Sequence, residues 1–460
     1  MMSEYRIEKD SMGEMQVPKS AYWGAQTARA KLNFNISGKT LPKDFINAVA
    51  IVKMAAANAN LKLKLIDEEK AYAIVKAALE IIDGKHDDQF PLDIFQTGSG
   101  TSTNMNVNEV IANRAVEILG GKLGDKGLCH PNDDVNMGQS SNDVIPTAIH
   151  ISSALLMKNL ISSLENLKKS LMAKAGEFSE VIKIGRTHLM DAVPMTLGQE
   201  FSGYASQIDK AIRRFLDQEK WIVELPLGGT ALGTGINTHK DFANVAINEI
   251  SEYTGIKFKQ ADNLFEAIAT KDGIVSLAGA MNTLAVSLMK IANDLRLLSS
   301  GPRCGIAEIT LPSLQPGSSI MPGKVNPVIP EATIQVASEV MGKCHTISIA
   351  GASSLLDLNV MMPLIADSVI YSLTLLTNVS NHLDEFCVRD IKANVQRCSE
   401  LVEWSMAIVT PLAKVVGYDK AAEIAYKAFN EKKTVKDVVK SMNILPDDEV
   451  EKIFDPKSMV

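Results

Sequence analysis

A mainly α-helical fold follows from three features of the sequence. The composition is 46% hydrophobic but only 5% aromatic, with 20 methionines, a balance that favours helix over sheet. The apolar residues Leu277, Met281, Leu284, Leu288, Ile291, Leu295 and Leu298 follow one another at alternating steps of four and three, a heptad seam about 30 Å long at the helical rise per residue. Strand signals are sparse, limited to short pieces such as Val181 to Ile184.

The other elements can be read in chain order. The opening stretch MMSEYRIEKDSMGEMQVPKSAYWGAQTARA mixes acids and bases without an apolar run of signal-peptide length. The charge run Asp67-Glu68-Glu69-Lys70 reads as a solvated helix end. A polar turn near Pro131-Asn132 precedes a second seam through Met157, Leu160, Leu164, Leu167 and Leu171, and a shorter one runs through Tyr204, Ile208, Ala211 and Phe215. The 277–298 seam stops at Gly301-Pro302, a helix-ending pair. Two more apolar helical stretches lie around Ile334 to Val340 and Ile365 to Leu383, and a break follows near Asp390 to Asn394. Five long helices in the middle of one chain predict a bundle, and 460 residues are enough for two or three domains.

Composition also excludes partners. A net charge of −7 without a lysine-arginine block argues against nucleic acid and anionic membranes. No segment carries the ~20 continuous apolar residues that span a bilayer. The cysteines Cys129, Cys304, Cys344, Cys387 and Cys398 are odd in number, scattered and without metal-ligand spacing, which predicts a reducing, cytosol-like compartment.

Four polar clusters carry the chemistry. TGSGTSTNMN, Thr97 to Asn106, sits just ahead of a helical pattern; capping takes one side chain, so its row of small donors suggests an anion held at a helix N-terminus. In HPNDDVNMGQSSND, Ser140-Ser141-Asn142-Asp143 opens a long helix in the same way, and read alone it favours capping over substrate binding. GRTHLMDA, Gly185 to Ala192, places His188 with Arg186, Thr187 and Asp191 in a polar island between apolar stretches; its imidazole can exchange a proton near neutral pH. GSSIMPGKVNPVIPE, Gly317 to Glu331, is spelled like a nucleotide-binding loop, but five residues separate its glycines and Val325 follows Lys324 where magnesium binding needs Ser or Thr. Its Ser318, Ser319, Lys324, Asn326 and Glu331 exceed what a turn needs. Together the clusters describe a site for a small dianion, with Lys324, Asn326 and Asn142 for carboxylates, hydroxyls of Thr101, Ser140, Ser141 and Thr187, and His188, Ser318 and Glu331 able to move protons. No metal cluster or cofactor fingerprint competes. GGTALGTG, Gly228 to Gly235, lacks the strand, spacing and acid of a dinucleotide site and reads as a tight turn or close helix contact.

GSSIMPGKVNP resembles the signature of the fumarase/aspartase superfamily. KDSMGEMQVP, HDDQFP, QTGSGTSTNMNVNEV, HPNDDVN, QSSNDVIPTA, GRTHLMDAVPMTLGQE, GGTALGTGINTH, SLMKIANDLRLLSSGPRCG and GYDKAAEIA extend the likeness to class II fumarate hydratases over nearly the whole chain. The resemblance implies an all-α subunit of three domains, 1–139, 140–393 with a central five-helix bundle, and 394–460. It further implies a homotetramer whose active sites draw on three subunits, and reversible anti addition of water to fumarate, giving L-malate, as in the citric acid cycle, without metal or cofactor. By the same match Ser318 is the base, stabilised with the enolate-like intermediate by Lys324, Asn326 and loop N–H groups. His188, coupled to Glu331, acts on the departing hydroxyl through a bound water. Ser99, Gly100, Thr101, Ser140, Ser141, Asn142, Thr187, Ser319 and Val325 complete the carboxylate sites, and Gly317 and Gly323 give freedom to a closing loop.

A second dicarboxylate site of such enzymes is matched by His130, Pro131, Asn132 and Asp133. The usual preceding arginine is replaced here by Gly127 beside Lys126, so that site is expected to be weak or absent. The resemblance implies a cytoplasmic enzyme, or a matrix one had a transit peptide been removed. The nearest rival is aspartase, whose GRTQLQDA carries glutamine where His188 stands; argininosuccinate and adenylosuccinate lyases match less of the chain. A non-enzymatic crystallin-like scaffold would be free to lose Ser318, His188, Lys324 and Glu331, all kept here.

Overall fold

The computed structural model describes residues 5–460; residues 1–4, the head of the opening stretch, lie outside them. The chain begins with the hairpin β1 (Tyr5–Asp10) and β2 (Gly13–Pro18), then α1 (Ala25–Asn33), α2 (Lys43–Lys62), α3 (Glu68–Ile82) and α4 (Thr101–Ile118). A π-helical turn, Pro131–Val135, precedes α5 (Ser141–Glu177), and the hairpin β3 (Ile182–Thr187) and β4 (Met190–Thr196) leads to α6 (Leu197–Ile222). Next come β5 (Glu224–Leu225), α7 (Phe242–Thr254), β6 (Lys259–Gln260), α8 (Leu264–Ala269) and α9 (Asp272–Leu298). After β7 (Ile309–Thr310) follow α10 (Val328–Ala352), α11 (Met362–Phe386), β8 (Lys392–Ala393) and α12 (Val395–Trp404). The chain closes with α13 (Ala413–Val416), α14 (Tyr418–Glu431), α15 (Val435–Ser441) and α16 (Asp447–Ile453). The fold is all-α in class: every sheet among the described residues is a pair of strands.

The seams read from the sequence are the buried faces of α5, α6 and α9. Leu277, Met281, Leu284, Leu288, Ile291, Leu295 and Leu298 are all buried, as are Met157 to Leu171 of the second seam and Tyr204, Ile208, Ala211 and Phe215 of the third. By length and composition, α5, α9 and α11 extended to Asp390 would each reach across a bilayer, with mean hydropathies of 1.4, 1.5 and 1.3 over their most apolar stretches. Polar residues such as Asn159, Ser162 and Ser163 interrupt those stretches, and the apolar ones collect on the stripe that the chain itself covers. Of the α9 stretch only 50% is buried within the chain, and Val286 on it is half exposed.

The chain divides into two compact units, interleaved in sequence because α5, α6, α9, α10 and α11 contribute to both. The first is Met1–Ile161, Arg213–Thr283 and Glu339–Leu376. Its centre is α2, which packs on α3, α4 and α7. Val49, Val52, Ala55, Ala56 and Ala59 are fully buried there, small enough to admit neighbours on several sides.

The second unit is Ser162–Ile212, Leu284–Ser338 and Thr377–Val460. Phe178, Phe201 and Tyr204 stack edge to face in it, with centroids 5.4 and 5.5 Å apart. A separate small core joins Ile184 of β3 to Val402, Ile408, Leu412, Ile424, Val438, Val439 and Val450, which anchors the base of the β3–β4 hairpin to the C-terminal helices.

Candidate active site

The first two clusters lie in the first unit and open α4 and α5. Gly100, the residue before α4, has φ 72°, and a Cβ there would meet Ile145 of α5 at 2.9 Å. Glycine is required both for the conformation and for the approach of the two helices. Ser99 and Thr101 pair their hydroxyls at 2.8 Å, and Thr103 gives N–H and O–H to Gln96 Oε1. Gly100 offers α4 no side-chain cap, so the helix start keeps the partial positive charge that attracts anions.

The two helix starts are joined by a buried polar chain. Asn104 Nδ2 donates to Ser141 Oγ at 3.1 Å and to Asn136 Oδ1 at 3.1 Å. Asn136 Oδ1 also accepts from Lys53 Nζ, and Gln139 Oε1 takes a second Lys53 proton, each at 2.9 Å. Lys53 is fully buried, and desolvation pushes its ammonium down to about 7 against the pull of Asp143. Asp143 is itself fully buried; burial pushes its carboxyl up to about 6 while the N–H groups of Ser140, Thr230 and Gly228 and the Lys53 charge oppose that.

The third and fourth clusters lie in the second unit. Thr187 pairs with Met190 across β3 and β4, so His188 and Leu189 form a two-residue turn, with φ 58° and 61°. Hairpin turns with two positive φ values ordinarily use Asn and Gly. Holding His and Leu there costs of order 1–2 kcal/mol each. The hairpin is fixed from below: Arg186 Nη1 lies 3.0 Å from both oxygens of Glu308. Lys183 Nζ sits 3.3 Å from the same fully buried carboxylate and 2.8 Å from Glu200. Thr187, His188, Leu189 and Met190 at the tip are exposed.

In the serine loop, Ser318 Oγ accepts from the backbone N–H groups of Ile320 (3.2 Å) and Met321 (3.0 Å). The loop is pinched at its neck, where Gly317 N–H donates to Lys324 O at 2.7 Å and Asn326 Nδ2 to Gly317 O at 2.8 Å. A Cβ on Gly317 would meet Lys324 O at 2.7 Å, so a larger residue would open the neck. Gly323 has φ 82°. Ser319, Lys324 and Val325 are exposed. Glu331 lies in the first turn of α10, where the helix dipole favours a negative charge. Among the described residues, the side chains of His188, Lys324 and Glu331 have neither a hydrogen bond nor an ion pair, so the chain by itself does not couple His188 to Glu331.

At the matched second site, His130 Nδ1 accepts from Asn132 N–H (3.2 Å) and Asp133 N–H (3.1 Å) and caps the π-helical turn that starts at Pro131. Lys126 Nζ is bonded to Lys9 O. Sequence reasoning missed Lys53 and Glu308, and noted Asp143 only as part of a cap. A charged residue in an apolar or turn segment carries no local sign that it will be buried. Among the described residues no three His, Cys, Asp or Glu side chains gather as metal ligands would.

The chain as a whole has similar relatives among known proteins. A lyase family profile matches residues 13–342, and a fumarase C C-terminus profile matches residues 408–460. The class II fumarate hydratase of Nitrosomonas europaea is 50% identical over 100% of this chain and 99% of its own. That of Halobacterium salinarum is 52% identical over 100% and 98%. Among solved structures, a class II fumarase from Schistosoma mansoni superposes with a TM-score of 0.95 at 42% identity, covering 99% of both chains. A fumarate lyase:delta crystallin from Brucella melitensis bound to cobalt gives 0.95 at 48%, also over 99% of both. With full-length identity at this level and the fold reproduced end to end, the chain belongs to the class II fumarate hydratases, lyases of the fumarase/aspartase superfamily.

Proposed function

We propose that the four clusters form one site for the reversible anti addition of water to fumarate, giving L-malate. In the malate direction Ser318 Oγ, as alkoxide, takes the carbon-bound proton next to a carboxylate. The electron pair moves into that carboxylate as an enolate-like dianion, which Lys324, Asn326 and the loop N–H groups stabilise. The C–O bond then breaks, and the hydroxyl leaves as water with a proton delivered by His188 and Glu331 through a bound water. Ser99, Gly100, Thr101, Ser140, Ser141, Asn142, Thr187, Ser319 and Val325 hold the two carboxylates.

The observation that carries this reading is the pair of N–H groups on Ser318 Oγ. A serine hydroxyl is a poor base, and two fixed donors aimed at its oxygen are what an alkoxide needs.

The site is completed by self-association as a homotetramer, each site drawing its hairpin, serine loop and helix starts from different copies. Supporting this, the side chains of His188, Lys324 and Glu331 lack partners among the described residues. Leu189 and Ile320 beside them are 76% and 83% exposed, apolar surface that only another molecule would cover. We keep 1–139, 140–393 and 394–460 as the domain organisation. The second dicarboxylate site is weak or absent, since His130 Nδ1 and Lys126 are both engaged elsewhere. Four of the five free cysteines are buried, in keeping with a cytoplasmic enzyme.

The test is the loss of fumarate absorbance with malate as product. Ammonium supplied with fumarate should yield no aspartate by mass spectrometry; aspartate as the main product would overturn the assignment.

A further inference from the structure

The glycine-rich loop Gly228–Gly235 is left without a task by the chemistry above, yet it is among the most constrained stretches of the chain. Positive φ values recur at Gly228 (92°), Thr230 (54°), Gly233 (125°) and Gly235 (69°). For Thr230, a β-branched residue, that conformation is costly and persists only where the surroundings impose it. The surroundings here are two adjacent residues of α5. Asp143 Oδ2 accepts from Gly228 N–H at 3.1 Å and from Thr230 N–H at 2.9 Å, and Asn142 Nδ2 donates to Ala231 O at 2.7 Å. The other oxygen of Asp143 accepts from Ser140 N–H at 2.9 Å. One buried carboxylate therefore holds the backbone of the Ser140–Asn142 turn with one oxygen and the loop with the other.

A tight turn needs no buried charge, and burying one is expensive unless it is well paired. Lys53 gives its protons to Asn136 and Gln139 instead, so backbone N–H groups supply the hydrogen bonds of the Asp143 carboxylate and the Lys53 charge acts on it without direct contact. The Thr230 hydroxyl is buried, 5% exposed, and has no partner among the described residues, a group that is rarely left so unless a bound molecule or water meets it.

We propose that Asp143 is a positioning residue for the hydration reaction, clamping the loop Gly228–Gly235 as a wall against the carboxylate-binding turn Ser140–Asn142. This rests on the reading that Ser140, Ser141 and Asn142 bind a substrate carboxylate. The wall fixes the turn's hydroxyls and amide in the bound geometry before substrate arrives, so its loss weakens binding more than turnover.

The experiment compares wild type, Asp143→Asn and Gly228→Ala in the full chain, by steady-state kinetics with fumarate and by amide hydrogen exchange over 228–231. Asp143→Asn puts an NH2 among the three N–H donors. Gly228→Ala leaves the carboxylate intact but would bring a Cβ to 2.5 Å from the Ala243 Cβ, pressing the loop away from α7. Both variants should raise KM at least ~10-fold with kcat reduced less than ~3-fold, and both should speed exchange in the loop. Should Asp143→Asn fail to fold, Gly228→Ala decides alone. Faster loop exchange with unchanged KM overturns the wall, and unchanged exchange overturns the clamp. A wild type that does not hydrate fumarate overturns the parent reading and this one with it, whereas a working wild type with unaffected variants overturns only this one.

Discussion

The start of α5 and the tip of the β3–β4 hairpin each carry residues that the proposed reaction assigns to substrate, and they are built in opposite ways. At the start of α5, Ser140, Ser141 and Asn142 are tied by Asp143, Asn104 and the 228–231 backbone, so their geometry is complete within one chain. At the hairpin tip, Thr187 and His188 stand on a strained turn, exposed and flanked by apolar Leu189 and Met190; only the base of that hairpin is fixed, through Arg186 and Glu308. On the roles proposed above, the carboxylate groups at the start of α5 are pre-organised by folding, while the hairpin imidazole waits for the proposed assembly. An isolated chain would then hold half a site, which gives association a catalytic meaning.

The largest effect should come from preventing assembly without touching the core. Val286 and Ile349 are 52% and 53% exposed on α9 and α10, and Val286→Lys with Ile349→Lys would put charges on the apolar surface that the proposed assembly would bury. The expected product is a folded monomer by sedimentation and circular dichroism, with no measurable activity. An active monomer would break the comparison outright.

Next in size, Ser318→Ala should lower kcat at least ~100-fold with substrate binding nearly intact, because a base acts in the transition state. His188→Asn should lose activity in both directions, since reversibility uses the same groups each way. Co-expressing the two inactive variants sharpens the point. If hairpin and serine loop come from different copies, mixed assemblies contain some sites with both native residues, and activity should return. Persistently dead mixtures would mean that each site takes both groups from one chain.

Glu308→Gln should fall between these and the mildest change. It keeps the shape of the clamp under the hairpin but removes the charge that Arg186 and Lys183 face, leaving the buried Lys183 and the partly buried Arg186 undercompensated. Misplacing the imidazole by a fraction of an ångström predicts a loss of roughly 10- to 100-fold in kcat. A loss confined to stability, with kcat of the remaining folded enzyme unchanged, would make Glu308 a purely structural residue.

How far the sequence discloses all this depends on the kind of signal. Heptad seams such as Leu277 to Leu298 are legible because burial repeats with the helical period. The motif loops are legible because their side chains exceed what turns need. The β1–β2 hairpin is not, because Glu8 and Val17 are its only buried residues and one of them is an acid, so no apolar alternation marks it. Asp143 and Glu308 stay hidden for a related reason: their partners, Gly228 and Thr230 in one case and Arg186 in the other, lie 85 or more positions away. Nothing in the neighbouring residues distinguishes a clamp from a solvated charge.

The smallest expected effect concerns His130, which resemblance alone would place in a second dicarboxylate site. Its Nδ1 accepts two backbone N–H bonds at the head of the π-helical turn, so the ring nitrogen that caps cannot also meet a ligand, and Lys126 is bonded to Lys9 O. If capping is its whole role, His130→Ala should leave kcat and KM within about twofold and cost about 1 kcal/mol of stability, as lost N-caps do. His130→Asn should recover most of that loss, because asparagine is itself a strong capping residue. Thermal or urea unfolding of the three forms reads the cap, and fumarate saturation curves taken to high concentration read the site. A cap-only residue changes the first and not the second. If His130→Asn restored stability yet altered the saturation curve at high fumarate, the imidazole would be meeting a ligand after all, through Nε2, and this region would join the start of α5 as a pre-organised carboxylate site.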